Sequence, residues 1–161
     1  MQMKTRILFV CLGNICRSPA AEASFLKLIA EKGLIDRFDI DSAGTGSWHV
    51  GHLADERMRK AAEKRGIMIN SVARQIQKND FQSFDYILTM DLDNLREVNA
   101  LSKQSENNPN LVIKTILSFS GDGSVVEVPD PYYGGEQGFD LVLDLLEDAC
   151  QGLFEAVSGS M

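Results

Sequence analysis

Cys11 and Arg17 stand in a C-x5-R spacing inside the run C-L-G-N-I-C-R-S, Cys11 to Ser18. A thiol and a guanidinium at that spacing suit one task well: the thiol attacks phosphorus while the guanidinium grips phosphate oxygens. The planar fork of Arg17 can bind two oxygens at once, which a lysine point charge does less specifically. Gly13 and Asn14 are the types that most readily take left-handed backbone angles, so the chain there can curl and aim successive amides, Leu12 through Ser18, at one anion. Ser18 reads as a helix N-cap, Pro19 as the first helical residue and Glu22 as an acid in the first turn. A loop closing onto a helix N-terminus meets unpaired N–H groups and a partial positive charge, and that field favours the Cys11 thiolate over the thiol. A lone C-x5-R recurs by chance. Strand, Gly-Asn, Arg, Ser-Pro and helix arriving in order point instead to an anion loop.

The loop needs elements to hold it. Ile7 to Val10 is a short apolar run of the kind that forms a buried parallel strand, which places Cys11 at its carboxyl end. Pro19 to Lys32 carries Ala21, Phe25, Leu28 and Ile29 at helical spacing, with Gly33 as the C-cap. Phe38 and Ile40 alternate with acids in a second strand that runs into the loop from Ser42 to Gly51. A solvated helix over Asp55 to Arg65, a strand over Asp85 to Met90, a helix over Leu92 to Leu101 and a strand over Leu111 to Ile116 follow. Ser118 to Gly135 is a long loop, and such loops in compact domains are usually functional. Phe139, Val142, Leu146, Ala149, Cys150, Leu153 and Val157 mark the apolar stripe of a closing helix, with Cys150 as a small core residue. Alternating strands and helices predict an α/β fold with strand ends gathered at one edge.

At 161 residues the chain suits one domain, residues 1–161. A net charge of −7 would repel nucleic acid and anionic membrane surfaces, so anion binding has to be local. No apolar run approaches the ~18 residues of a membrane span. Three cysteines, an odd and sparse set, suit a reducing compartment such as the cytoplasm rather than a disulfide framework, and are too few for an ordinary zinc site. No metal or cofactor is expected.

The stretch V-C-L-G-N-I-C-R-S-P-A-A-E closely resembles the signature loop of the low-molecular-weight protein tyrosine phosphatases. D-P-Y-Y-G (Asp130 to Gly134), D-S-A-G-T-G-S-W-H-V-G (Asp41 to Gly51), A-R-Q-I (Ala73 to Ile76) and F-D-Y-I-L-T-M-D (Phe84 to Asp91) extend the resemblance over nearly the whole chain. It implies a four-stranded parallel sheet in the order 2-1-3-4, with helices on both faces and the phosphate loop after strand 1 at a topological switch point. It implies hydrolysis of phosphotyrosine and small aryl phosphates through a phosphocysteine on Cys11. Arg17 and the loop residues Leu12, Gly13, Asn14, Ile15, Cys16 and Ser18 would hold the phosphate, Ser18 would hydrogen-bond the thiolate, and Asn14 and Ser42 would brace the loop. Asp130 would be the general acid, a task for which a carboxyl must hold its proton, as a neighbouring phosphate dianion favours.

Trp48, Tyr132 and Tyr133 are candidate aromatic walls for a phenyl ring, with core packing as the alternative, evenly balanced for Trp48. His49 and His52 fit the rim better than the role of base. Cys16 fits either loop packing or the reversible Cys11–Cys16 disulfide known for the resembling family. The expected partners are phosphotyrosyl proteins, with no nucleic acid or membrane, and a monomer capable of weak self-association. An arsenate reductase on the same scaffold would relay oxidation through further cysteines, and none lies between Cys16 and Cys150. A non-catalytic phosphotyrosine-binding module would need neither Cys11 nor Asp130.

Overall fold

The apolar run before the loop forms the central strand, β1 (Thr5–Cys11), and its side chains alternate between two cores. Ile7 and Phe9 point to one face of the sheet and Leu8 and Val10 to the other, all four fully buried. Burial on both faces is what a continuous apolar strand requires. The computed structural model describes residues 3–121, 123–132 and 135–159. β1 pairs in parallel with β2 (Phe38–Gly44) on one side and with β3 (Tyr86–Thr89) on the other, and β4 (Val112–Thr115) extends the sheet beyond β3. The order 2-1-3-4 is the expected one. The connection leaving β1 crosses towards β2 and later elements return to β3, so the segment after Cys11 lies where the strand order reverses.

The larger core packs α1 (Arg17–Glu31) and α5 (Glu136–Ser158) over one face, where every member of the predicted α5 stripe, Cys150 included, is buried. The smaller core lies under α3 (Asp80–Ser83) and α4 (Leu92–Lys103), around Phe81, Ile87 and Val98. Helix α2 (Glu56–Glu63) begins at Asp55, whose carboxylate accepts the Arg57 N–H as a cap, and Gly66, at φ 75°, follows its end. Among the described residues no helix is long and apolar enough to cross a membrane.

The sequence misplaced the start of α1. The helix begins at Arg17, not Pro19, and its N-cap position is Cys16, which makes no side-chain cap bond. Ala20 N–H already bonds Cys16 O at 3.1 Å, and the Ser18 hydroxyl turns down towards Cys11 rather than capping. Pro19 still fits, because N–H groups in a first turn have no intrahelical partner to lose. Glu22 therefore lies beyond the first turn and is half-buried against Ser42. Helix α3 and two 3₁₀ turns, Ile35–Arg37 and Ile116–Phe119, have no counterpart in the sequence reading. The last of these cuts short the predicted fourth strand.

Candidate active site

The chain from Cys11 to Arg17 wraps around a point above the carboxyl end of β1. Its curl is made by Asn14, the one non-glycine residue at positive φ (57°) among those described. Gly13 has no such angle. Its hydrogen side chain serves close approach: a Cβ there would stand 3.0 Å from Cδ2 of His49. Gly44, at the end of β2, is as constrained, since a Cβ would meet Leu12 O at 2.7 Å. The segment just past β2 supports the loop from this side, with Thr45 N–H bonded to Cys11 O and Gly46 N–H to Leu12 O, both at 2.9 Å.

Cys11 Sγ is 3.0 Å from Ser18 Oγ and accepts the Asn14 backbone N–H at 3.3 Å. The Ser18 hydroxyl is oriented by its neighbours. Asn14 Nδ2 donates to Ser18 Oγ at 2.8 Å, and the hydroxyl proton then faces two acceptors, Ala43 O at 3.4 Å and the sulfur, of which a Cys11 thiolate is the stronger. Arg74 N–H donates to Asn14 Oδ1 at 3.0 Å and so fixes which way the carboxamide faces. The second Nδ2 proton goes to Ser42 Oγ at 3.0 Å, and Ser42 donates onward to Glu22 at 2.6 Å. A hydrogen-bonded chain thus runs from half-buried Glu22 through the buried Ser42, Asn14 and Ser18 to the thiol. Burial raises the pKa of Glu22, opposed by its bonds from Ser42 and Ser71.

Arg17, 3 % exposed, reaches back under the loop. Its Nη1 donates to Asp91 at 2.6 Å and to Val128 O at 3.1 Å, and its Nη2 lies 3.7 Å from the Asp130 carboxylate. Burial works against its charge, yet Cys11, Asp91 and Asp130 outweigh that and hold its pKa above the ordinary arginine value. Asp91 is itself fixed, because its other oxygen caps α4 through Asn94 N–H at 2.7 Å.

Above these groups opens a cavity of about 420 Å³. Cys11, Cys16 and Arg17 form its floor, Asp130 stands on one side, and Trp48, His49 and Tyr132 rise around it. Trp48 is 69 % exposed, which removes the core-packing alternative for that residue. The His49 and Tyr132 rings lie 6.2 Å apart. His52 lies outside the lining. Tyr133, the third candidate wall, falls outside the described residues. Burial, then the negative charges of Asp55, Cys11 and Asp130, push the Cys16 thiol far up, so it stays neutral beside Cys11.

The structure therefore brings Cys11, Arg17, Asp130 and the loop residues from Leu12 to Ser18 to one place, with Asn14 and Ser42 beneath. Sequence reasoning missed Asp91, Arg74 and the internal role of Glu22. Asp91 carried one available signal, its position at the carboxyl end of a parallel strand, where α/β sheets bind ligands.

The family model described as low molecular weight phosphotyrosine protein phosphatase matches residues 6–160. The low molecular weight phosphotyrosine protein phosphatase of Schizosaccharomyces pombe is 42 % identical over 161 residues, covering 98 % of this chain and all of its own. A protein tyrosine phosphatase from Entamoeba histolytica, solved with Hepes in its active site, superposes with a TM-score of 0.91 at 44 % identity over 98 % of this chain and 99 % of that one. A Drosophila arginine phosphatase superposes with a TM-score of 0.89 at 33 % identity over 94 % of this chain and 96 % of its own.

Proposed function

The chain belongs to the low molecular weight phosphotyrosine protein phosphatase family, and from that premise we propose that it hydrolyses phosphotyrosine in proteins, and small aryl phosphates, through a phosphocysteine on Cys11. The observation that carries this reading is the convergence of Cys11 Sγ, the Arg17 guanidinium and the Asp130 carboxyl on one cavity. In the first displacement Sγ attacks phosphorus, the bond from phosphorus to the phenolic oxygen breaks, and Asp130 gives that oxygen its proton. In the second, Asp130 takes a proton from water as the water attacks phosphorus, and the sulfur leaves as thiolate. The loop amides and Arg17 hold the equatorial oxygens through both steps. Asp91 keeps the guanidinium aimed before substrate arrives, and the proton of Ser18 stabilises the departing thiolate.

The aromatic groups at the cavity mouth, Trp48 and Tyr132, favour a phenolic ester over a shorter serine or threonine phosphate. Three unpaired thiols support a reducing, cytoplasmic setting. The test is turnover of a simple aryl phosphate in the presence of a chelator, with acid quench to trap a phosphorylated Cys11 peptide. Cys11→Ser should abolish turnover and the trapped peptide together; near-native activity in that variant would sink the mechanism. Phosphoarginine in the same assay should be the poorer substrate, and a preference for it would move the reading towards the chemistry named for the Drosophila protein.

A further inference from the structure

The Asp130 carboxyl sits between the 3₁₀ turn at Ile116–Phe119 and α5, on a stretch with no helix or strand among the described residues, and its usefulness depends on what holds that stretch to the phosphate loop. On the amino side the ties are visible. Val128 N–H bonds Met90 O at 2.8 Å, Val128 O accepts from Arg17, and Glu127 accepts the Leu92 N–H at 2.8 Å. These anchor the approach to Asp130 on β3 and α4.

On the carboxyl side we infer that Arg57 is a positioning residue for the general acid: it clamps the Asp130–Tyr132 turn to the phosphate loop through Asp55. The inference rests on the reading of Asp130 given above. Arg57 Nη2 donates to Tyr132 O at 3.0 Å. The same guanidinium forks onto Asp55, with Nε at 3.1 Å from Oδ1 and Nη2 at 2.9 Å from Oδ2. Asp55 N–H in turn donates to Ile15 O, inside the phosphate loop, at 2.8 Å. Tyr132 N–H closes the turn onto Asp130 Oδ1 at 3.0 Å. A continuous line therefore runs Ile15, Asp55, Arg57, Tyr132, Asp130, from the loop that holds phosphorus to the carboxyl that protonates the leaving group.

The Arg57 guanidinium also lies over two rings, 5.4 Å from the centroid of Tyr132 and 4.9 Å from that of Phe139 in the first turn of α5. It thus spans both the end of the acid's loop and the helix that follows. The pair with Asp55 holds the Asp55 carboxyl below its ordinary pKa, so the fork stays charged through the neutral range. Its side chain is nevertheless 46 % exposed, and exposed ion pairs contribute little to stability. The energy of this contact goes into geometry, where an error of ~1 Å can cost as much as 10²-fold in rate.

The experiment compares Arg57→Ala, Arg57→Lys and Asp130→Ala, and the double variant Arg57→Ala/Asp130→Ala, on two aryl phosphates, one with a weakly acidic phenol and one with a strongly acidic phenol. Asp130→Ala should lose roughly 10²–10⁴-fold in kcat/KM, which reports phosphocysteine formation, on the first and much less on the second. Arg57→Ala should show the same selective loss, smaller at roughly 10–100-fold, with the Ki of inorganic phosphate as a competitive inhibitor unchanged. Arg57→Lys should fail to rescue it, since an ammonium cannot fork onto Asp55 while holding Tyr132 O. In the Asp130→Ala background, removing Arg57 should cost nothing further. Urea unfolding of each variant separates folding from catalysis. If Asp130→Ala shows no dependence on the leaving group, the acid assignment fails and the clamp with it. If Asp130→Ala shows that dependence and Arg57→Ala does not, or if the two losses multiply in the double variant, the clamp alone is refuted.

Discussion

Asn14 is the residue on which the loop's geometry turns, and replacing it should be costly in a way that can be worked out. Its carboxamide makes three hydrogen bonds, two buried ones to Ser18 Oγ and Ser42 Oγ and a half-buried one from Arg74 N–H. In Asn14→Ala the half-buried Arg74 N–H loses this acceptor, which costs at most the about 1–3 kcal/mol of an unsatisfied buried donor. Ser18 and Ser42 each lose one bond but keep Cys11 and Glu22 as partners, at about 1 kcal/mol each. Alanine at φ 57° adds about 1–2 kcal/mol of left-handed strain. The total, about 4–7 kcal/mol, is a large share of the about 5–15 kcal/mol that keeps a domain folded. Asn14→Gly loses the same bonds without the strain and should be the more stable of the two by about 1 kcal/mol. Equilibrium urea unfolding followed by far-ultraviolet circular dichroism measures both. Both variants should also lose activity on an aryl phosphate, because nothing then directs the Ser18 proton at sulfur. An alanine variant within about 1 kcal/mol of wild type, or one more stable than the glycine variant, would refute the reasoning.

Other outcomes are as definite. Arg17→Lys should lose nearly all turnover, because one ammonium cannot meet Asp91, Val128 O and two phosphate oxygens; retention of more than about a tenth of wild-type kcat/KM counts against the bidentate role. Glu22 has a folded-state pKa above its unfolded value, so the folded protein binds its proton more tightly. Wild-type stability from this group is gained as pH falls through the raised pKa and lost as pH rises through it. Glu22→Gln should therefore compare best with wild type at pH 7 and lose ground towards pH 4.5 in urea titrations; parallel pH profiles for the two would contradict this. Mild peroxide should join Cys11 to Cys16, both on the cavity floor, as read by mass spectrometry. Cys16→Ser should then recover less activity under thiol than wild type, and equal recovery argues against a protective role.

The sequence determined whatever depends on neighbours along the chain. The phosphate loop is one continuous segment, so its thiol, its guanidinium and the left-handed Asn14 were legible from types and spacing. The strands were legible from apolar runs, and the α5 stripe from its helical period. Resemblance added the strand order and the pairing of Asp130 with a loop more than a hundred residues away. What only the tertiary structure decided are contacts whose partners carry no mark in their own surroundings. Asp91 falls in the sequence between a predicted strand and a predicted helix; in the fold one of its oxygens caps α4 and the other holds Arg17. Asp55 and Arg57 read as a solvated helix start, yet Arg57 reaches Tyr132 O across the cleft. Ser18 and Glu22 were assigned to the local task their type performs best, capping and complementing a helix dipole. Packing overrode both, because a thiol and a serine hydroxyl lay within reach and a buried polar group goes to the partner that satisfies it. Local propensity acts over a few residues and is written in them. The direction a side chain faces once several strands converge is a property of the whole sheet, and so it waits for the fold.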